Sequence, residues 1–320
     1  MESARLYASF RKLTSVHDRR IHIVSAMRPG SSEATLAQIA ASLGGASIET
    51  VRPERLVNGR IGTLVRETPG RRTFRVEPVP GGEGAVVVKQ YAPGAGRRGK
   101  IARWAAPAQI ECQRLLELGR AGIPVPRLLF GCWSRLGGFG PGVTIQAALP
   151  GEGLDEVFPR AHPVARTRCA LADLLPLVRE LHGAGYVHRD LYLGHVLGQL
   201  DDSGRIRIHG LVDVARATTR HGWGHRLRVK DLAALFVSLA PWVETRILLR
   251  GFASYCAGSV LPARWCGRSG RRRLLAAILA RAERMRRHRP RFDPPVLTAV
   301  ASTSFVDSTP ARPSDRTPRD

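Results

Sequence analysis

Short β-prone runs dominate the chain from about residue 48 to residue 147, and apolar positions recurring at three- and four-residue steps take over after Pro150. Residues 61–66, 72–78 and 85–91 are separated by Pro-Gly and Gly-Gly punctuation, which predicts an antiparallel meander. A helix is expected over 108–120, ended by Gly122 and Pro124. Two further strands, 127–132 and 143–147, should flank a glycine-rich turn at 136–142. Leu171, Leu174, Leu175, Val178, Leu181 and His182 then mark one face of a helix that Gly183 and Gly185 terminate. Two short strands are expected about a turn at 201–205, the second, 210–213, ending on a carboxylate. Residues 231–239 are apolar on nearly every side, as in a helix buried within a lobe. A last helix, 271–287, sets Leu274, Leu275, Ile278 and Met285 against a dense arginine face. Ahead of the strands lies one helix, 33–43, closed by Gly44 and Gly45, and beyond residue 301 there is little to bury.

The pattern divides the chain into an accessory N-terminal segment (1–45), a β-rich lobe with one inserted helix (46–147), a mainly helical lobe (148–295) and a disordered tail (296–320). No internal repeat is visible. Such an arrangement is α+β, with a cleft between its halves.

Composition narrows the class. Of 320 residues, 43% are hydrophobic and 24% charged, ordinary globular usage that excludes a disordered chain and a membrane bundle. The charge is not ordinary: 50 basic against 26 acidic residues give +24, and only Lys12, Lys89, Lys100 and Lys230 are lysines. Either a polyanionic partner or a GC-rich genome accounts for this. The five cysteines are scattered without a Cys-x-x-Cys spacing, so neither a disulfide framework nor a zinc site is expected, and a reducing compartment fits. The start, Met-Glu-Ser-Ala-Arg, lacks an export signal, and the longest apolar stretch, 232–243, contains Pro241 and is too short to span a bilayer. The expected location is cytoplasmic, either soluble or on a membrane surface.

Four features carry chemistry. Lys89 ends the apolar run Ala85-Val-Val-Val-Lys89; where arginine fills nearly every basic position, a lysine there suggests that a compact ammonium is required. Glu111 on the following helix is an ordinary solvated glutamate when taken alone, but could brace that ammonium against nucleotide phosphates. His188-Arg189-Asp190-Leu191-Tyr192-Leu193-Gly194-His195 follows a helix ending in Gly-Ala-Gly and precedes a hairpin, the position of a catalytic loop. Asp213 in Leu211-Val-Asp-Val-Ala is either a turn aspartate or a magnesium ligand.

In that order, on those elements, Lys89, Glu111, His188-Arg189-Asp190 and Asp213 resemble the protein-kinase-like fold. Tyr192 and His195 after Asp190, Gly122-Ile-Pro-Val-Pro126, Leu149-Pro-Gly151 and Arg228-Val-Lys-Asp-Leu-Ala233 resemble the lipopolysaccharide kinase family of Kdo and core heptose kinases, over about residues 55–290. The resemblance implies transfer of the ATP γ-phosphate to a sugar hydroxyl of the lipopolysaccharide inner core, at the cytoplasmic face of the inner membrane. It implies Asp190 as the group that takes or orients the acceptor's proton, with His188 beside it. Lys89 would contact the phosphates, and Asp213 and His195 would lie at Mg²⁺. Arg71, Arg72, Glu111 and the hinge residues Gln146, Ala147 and Ala148 complete the expected nucleotide site.

Three departures stand out. His195 replaces an asparagine, and imidazole is a poor Mg²⁺ ligand, so a one-metal site or a purely hydrogen-bonding His195 is expected. Val214-Ala215 replaces Phe-Gly, and Glu67-Thr-Pro-Gly-Arg-Arg72 carries one glycine where protein kinases have three. A pseudokinase scaffold, or a protein or small-molecule kinase of the same fold, is therefore the alternative. The arginine helix, 271–291, is either a solvated face or a patch for an anionic membrane. Nucleic acid ranks below the membrane as its partner, because aromatic residues are only 6% and none interleave the basic run.

Overall fold

The computed structural model describes residues 21–25, 33–42, 61–78, 84–92, 106–134, 140–219, 224–258 and 261–287, with scattered positions between 45 and 59. Six antiparallel strands form the sheet of the N-terminal lobe. In chain order the elements are β1 (Ile21–Ser25), α1 (Glu33–Ser42), β2 (Thr63–Thr68), β3 (Arg71–Val76), β4 (Val86–Tyr91), α2 (Pro107–Arg120), β5 (Leu128–Ser134) and β6 (Gly142–Ala147). The strands are arranged β1-β5-β6-β4-β3-β2. The valines of β4 suit a central strand covered on both faces, whereas β2 at the edge is exposed almost throughout.

Each face of the sheet has its own helix. On one side Leu36, Ile39 and Ala40 of α1 share a core with Phe74, Val86, Val88, Phe130 and Ile145. On the other, α2 begins at Pro107, where a missing N–H costs nothing, and buries Glu111, Cys112, Leu115 and Leu118. It lies hard against β5: a Cβ on Gly131 would come within 2.4 Å of Cys112 Sγ.

The second half is helical around one apolar core. After β7 (Glu152–Gly153) come α3 (Leu154–Arg160) and α4 (Pro163–Arg168), which runs through a π-helical stretch, Cys169–Leu174, into α5 (Leu175–Gly183). Then follow β8 (Tyr186–Val187), β9 (Val196–Leu200), β10 (Ile206–Leu211), β11 (Thr218–Thr219), α6 (Gly224–Leu239), α7 (Thr245–Gly258) and α8 (Gly267–Arg287). β10, β9 and β7 form one small sheet, and β8 pairs with β11. At Gly151 the chain passes so close to β9 that a Cβ would meet the Gly198 carbonyl oxygen at 2.2 Å, and φ is +82°. Only glycine meets both conditions.

The expected β-rich and helical halves are present. Several boundaries differ: α6 begins at Gly224 rather than 231, and the helix expected about 171–182 is helical from Pro163. The second strand of the β9–β10 hairpin stops at Leu211, so Asp213 lies beyond it rather than at its end. Strand β1 and helices α3, α4 and α7 were not anticipated. The tail at 296–320 and residues 288–291 of the arginine helix lie outside the described residues. All five cysteines are free thiols. Among the described residues no helix is long and apolar enough to cross a membrane.

Candidate active site

Lys89 and Glu111 meet inside the N-terminal lobe. Strand alternation points Lys89 to the α2 side of the sheet, where its Nζ lies 2.5 Å from Glu111 Oε1. Glu111 is fully buried and also accepts from the Tyr91 hydroxyl and, at 3.3 Å, from Thr144 Oγ1. A buried carboxylate is costly unless cation and donors surround it, and here both do. Burial, reinforced by Glu111, pushes the Tyr91 phenol well up, so it stays protonated as that donor.

The loop from His188 to His195 is held from below by α6. Asp231, wholly buried, accepts the backbone N–H groups of His188 at 2.7 Å and Arg189 at 2.6 Å. Arg189 takes φ +74°, a left-handed conformation that β-carbon residues seldom adopt, and Lys230 Nζ donates to its carbonyl oxygen. Lys230 also lies 3.1 Å from Asp190 Oδ1, while Arg216 Nη1 lies 2.5 Å from Asp190 Oδ2. Beneath these, His182 joins Tyr255 at 2.8 Å and Asp231 at 3.3 Å, and the buried Arg228 donates to the His182 carbonyl oxygen. Lys230 and Asp231 entered the sequence reading only within the motif Arg228-Val-Lys-Asp-Leu-Ala233, without a role of their own, and Arg216 was not singled out. The signal for Asp231 was available: a lone carboxylate opening the run Leu232-Ala-Ala-Leu-Phe236 must be buried and paired.

Asp213 sits in the left-handed region at φ +55°, between the two lobes' charged groups. Arg71 grips it with a two-pronged pair, 2.9 and 3.4 Å; Lys89 lies 3.8 Å from Oδ1 and His195 Nε2 lies 3.9 Å from Oδ2. Burial alone would raise this carboxyl, but Lys89, Arg71 and His195 outweigh it and hold it well below the usual carboxylate range. His195 donates from Nδ1 to the Asp190 carbonyl oxygen at 2.6 Å, which ties the Asp190 loop to Asp213.

The remaining expected site residues fall into two groups. His188, expected among the catalytic groups, is buried, donates from Nε2 to the Val212 carbonyl oxygen at 3.0 Å and stacks on His195. Burial lowers its pKa, which favours the neutral ring, and its Nε2–H is committed to the backbone. Arg71 and Arg72 were expected to act together, but consecutive strand positions face opposite ways. Arg71 faces the Lys89 side, while Arg72 lies 5.8 Å over the Phe74 ring on the α1 side. Gln146 is buried on the Lys89 face. The amides of Ala147 and Ala148 are both committed to the sheet, donating to Arg127 and Ala85 at 2.9 Å, so neither is open to a base. The expected phosphate-covering loop is only the two-residue turn Pro69-Gly70 between β2 and β3.

Among the described residues no cluster of three or more His, Cys, Asp or Glu side chains could hold a metal ion. Asp213 and the lone pair of His195 Nε2 are the donors at hand, so an Mg²⁺ ion here would draw most of its oxygens from a nucleotide.

The family model for lipopolysaccharide kinases (Kdo/WaaP) matches residues 62–249, more than half of the chain. The chain belongs to this family. Among solved structures, "WaaP in complex with acyl carrier protein" matches at 28% identity and a TM-score of 0.53, covering 72% of this chain and 95% of that one. No curated protein matches by sequence. The matched span of this lipopolysaccharide kinase family member contains every expected site residue, from Arg71 to Asp213, as well as Lys230 and Asp231.

Proposed function

We propose that the protein transfers the γ-phosphate of ATP to a sugar hydroxyl of the lipopolysaccharide inner core, at the cytoplasmic face of the inner membrane. The observation that carries this reading is one connected charge network. Lys89, braced by Glu111, reaches Asp213, and His195 joins Asp213 to the loop that bears Asp190.

In this reading Asp190 orients the acceptor hydroxyl and receives its proton. Lys230 and Arg216 hold the carboxylate in place and lie where charge develops on the transferred group. Lys89 takes the α- and β-phosphates. Arg71, whose planar fork fits phosphate as well as carboxylate, moves from Asp213 to the nucleotide and frees Asp213 for Mg²⁺. When bound, Mg²⁺ supplies neutralisation of the phosphate charge. The solved relative is in complex with an acyl carrier protein, and a carrier protein is a candidate partner of this chain also.

The test is phosphate transfer from γ-labelled ATP to Kdo- and heptose-containing core saccharides, with Asp190→Ala as control. Loss of a general base costs about 10²- to 10⁴-fold. Equal turnover by the variant and the wild type would remove Asp190 from the chemistry, and failure with every core saccharide would remove the acceptor class. The occupied Asp213 carboxylate and the two-residue turn favour a second reading, a nucleotide-binding scaffold without turnover. Nucleotide binding with no transfer to any acceptor would establish it.

A further inference from the structure

A groove of about 1060 Å³ opens beside the Asp190 loop, between β11, the first turns of α6, and α8. Arg189, Lys230, Arg264, Arg273, Arg281 and Arg284 line it, and no acidic side chain does. Its floor is apolar: Trp265 is buried beneath it, and Ala277 and Ala280 keep the α8 side low. Positions 273, 277, 280, 281 and 284 share one helical face, while Gly270, Leu274, Ile278 and Ala282 face the core.

Cations gathered in a concave site repel one another more strongly than on an open surface, because low-dielectric walls focus their field. The repulsion has a mark on a neighbour: burial, Arg264 and Arg226 together lower the His225 pKa at the rim. Two of the guanidinium groups are also left with a buried Nε that has no hydrogen-bond partner, those of Arg189 and Arg281. A buried charged donor without an acceptor is costly. An anion in the groove relieves the repulsion. The groove is continuous with the expected chemistry, since Lys230 touches Asp190 and Arg281 acts on the Tyr192 phenol two residues further on.

We infer that this groove binds the anionic groups of the acceptor, holding a phosphate- or carboxylate-bearing saccharide with its reactive hydroxyl at Asp190. The inference rests on the phosphotransfer reading above and adds to it the residues that select the acceptor. An apolar floor under a cationic rim suits sugar rings with charged substituents, and the volume lies at the upper end for a small-molecule site. A flat bilayer would instead meet the exposed arginines on the rest of α8, such as Arg268 and Arg272, which do not line the groove. A nucleic acid would need exposed stacking faces, and Trp265 is buried and flanked by Arg264 and His225.

The experiment uses the full chain and a deacylated inner-core saccharide carrying its phosphates and carboxylates, compared with the same saccharide after dephosphorylation and carboxyl reduction. Removing two charge-assisted contacts in Arg281→Ala/Arg284→Ala should raise the acceptor KM about tenfold or more and act far less on kcat. The neutralised saccharide should show a smaller change, and Arg281→Lys should restore part of the loss as a point charge. The control Arg268→Ala/Arg272→Ala removes the same charge outside the groove and should leave the acceptor KM unchanged.

An equal effect of the groove and control pairs would overturn the inference, as would an unchanged KM in the groove variant while transfer proceeds. Calorimetric binding of the anionic saccharide separates the two claims: binding by the wild type that the groove variant loses supports the groove even if no phosphate is transferred. If the groove variant lost only binding to phosphatidylglycerol vesicles or to an acyl carrier protein, with saccharide affinity intact, the groove would belong to that partner and the inference would fall.

Discussion

Asp213 is the carboxylate on which Arg71, Lys89 and His195 converge. Arg71 takes both of its oxygens, and Lys89 and His195 stand within 4 Å, yet the side chain is largely enclosed. Burial would raise its pKa, and Lys89, Arg71 and His195 together depress it. The sign for stability follows from linkage: the unfolded carboxyl ionises near about 4, so the stabilisation is complete above that pH and is lost as pH falls toward the lower folded value. Arg71→Ala removes the partner that holds both carboxylate oxygens. The Asp213 midpoint, followed by carboxyl-carbon NMR, should then move up toward the ordinary range, with lower stability at neutral pH and little change in acid. An unmoved midpoint would mean that Lys89 alone holds the carboxylate and that Arg71 is a bystander. The motif picked out Asp213 along the chain, but the backbone turn at that position was hidden. Strand β10 ends at Leu211, and two residues beyond it Asp213 takes a left-handed conformation.

At the scale of elements, α6 is the support on which the Asp190 loop rests. Its Asp231 accepts two backbone amides of that loop, Lys230 reaches Asp190, and Ser238 accepts from the Leu193 amide at 3.3 Å. The left-handed turn at Arg189 persists because these contacts hold it. Asp231→Asn keeps the shape but presents an amide NH₂ to one of the two N–H donors. The expected cost is about 1–3 kcal/mol, read as a lower urea midpoint. Because the loop loses its alignment, kcat should fall further than the KM for ATP rises. A variant with unchanged kcat and reduced stability would make Asp231 a core residue only. This helix also shows what the sequence conceals. Its apolar half announced itself over 231–239, but the first turns, Gly224–Lys230, carry few apolar residues to mark a helix. The β-branched runs of β3, β4 and β6 and the punctuated helix α2 were legible, since their own residues dictate strand or helix. Helices α3 and α4 were not: each is one or two turns long, and Pro159 and Pro163 break the period.

Over the whole molecule the excess of 24 positive charges has too few acids to answer it. The acidic residues that matter most are already committed: Glu111 to Lys89, Asp190 to Lys230 and Arg216, and Asp213 to Arg71. Helix α8 alone has eight arginines and a single glutamate, so like charges fall three and four residues apart along it. Exposed repulsion of this kind is screened by salt, whereas the enclosed pairs at the site are screened much less. Raising NaCl from about 10 mM to about 0.1 M shortens the screening length from roughly 30 to roughly 10 Å, and should therefore stabilise this protein. Calorimetry should show Tm rising by roughly 2–4 °C for each kcal/mol of repulsion relieved. Exposed pairs such as Arg160–Glu152 act in the opposite sense, but each is worth at most about 1 kcal/mol, and they are outnumbered by unanswered arginines. A Tm that falls as NaCl is added would show that such pairs outweigh the repulsion. The arginine surplus would then be accommodated within the fold, and a polyanionic partner would not be needed to explain it.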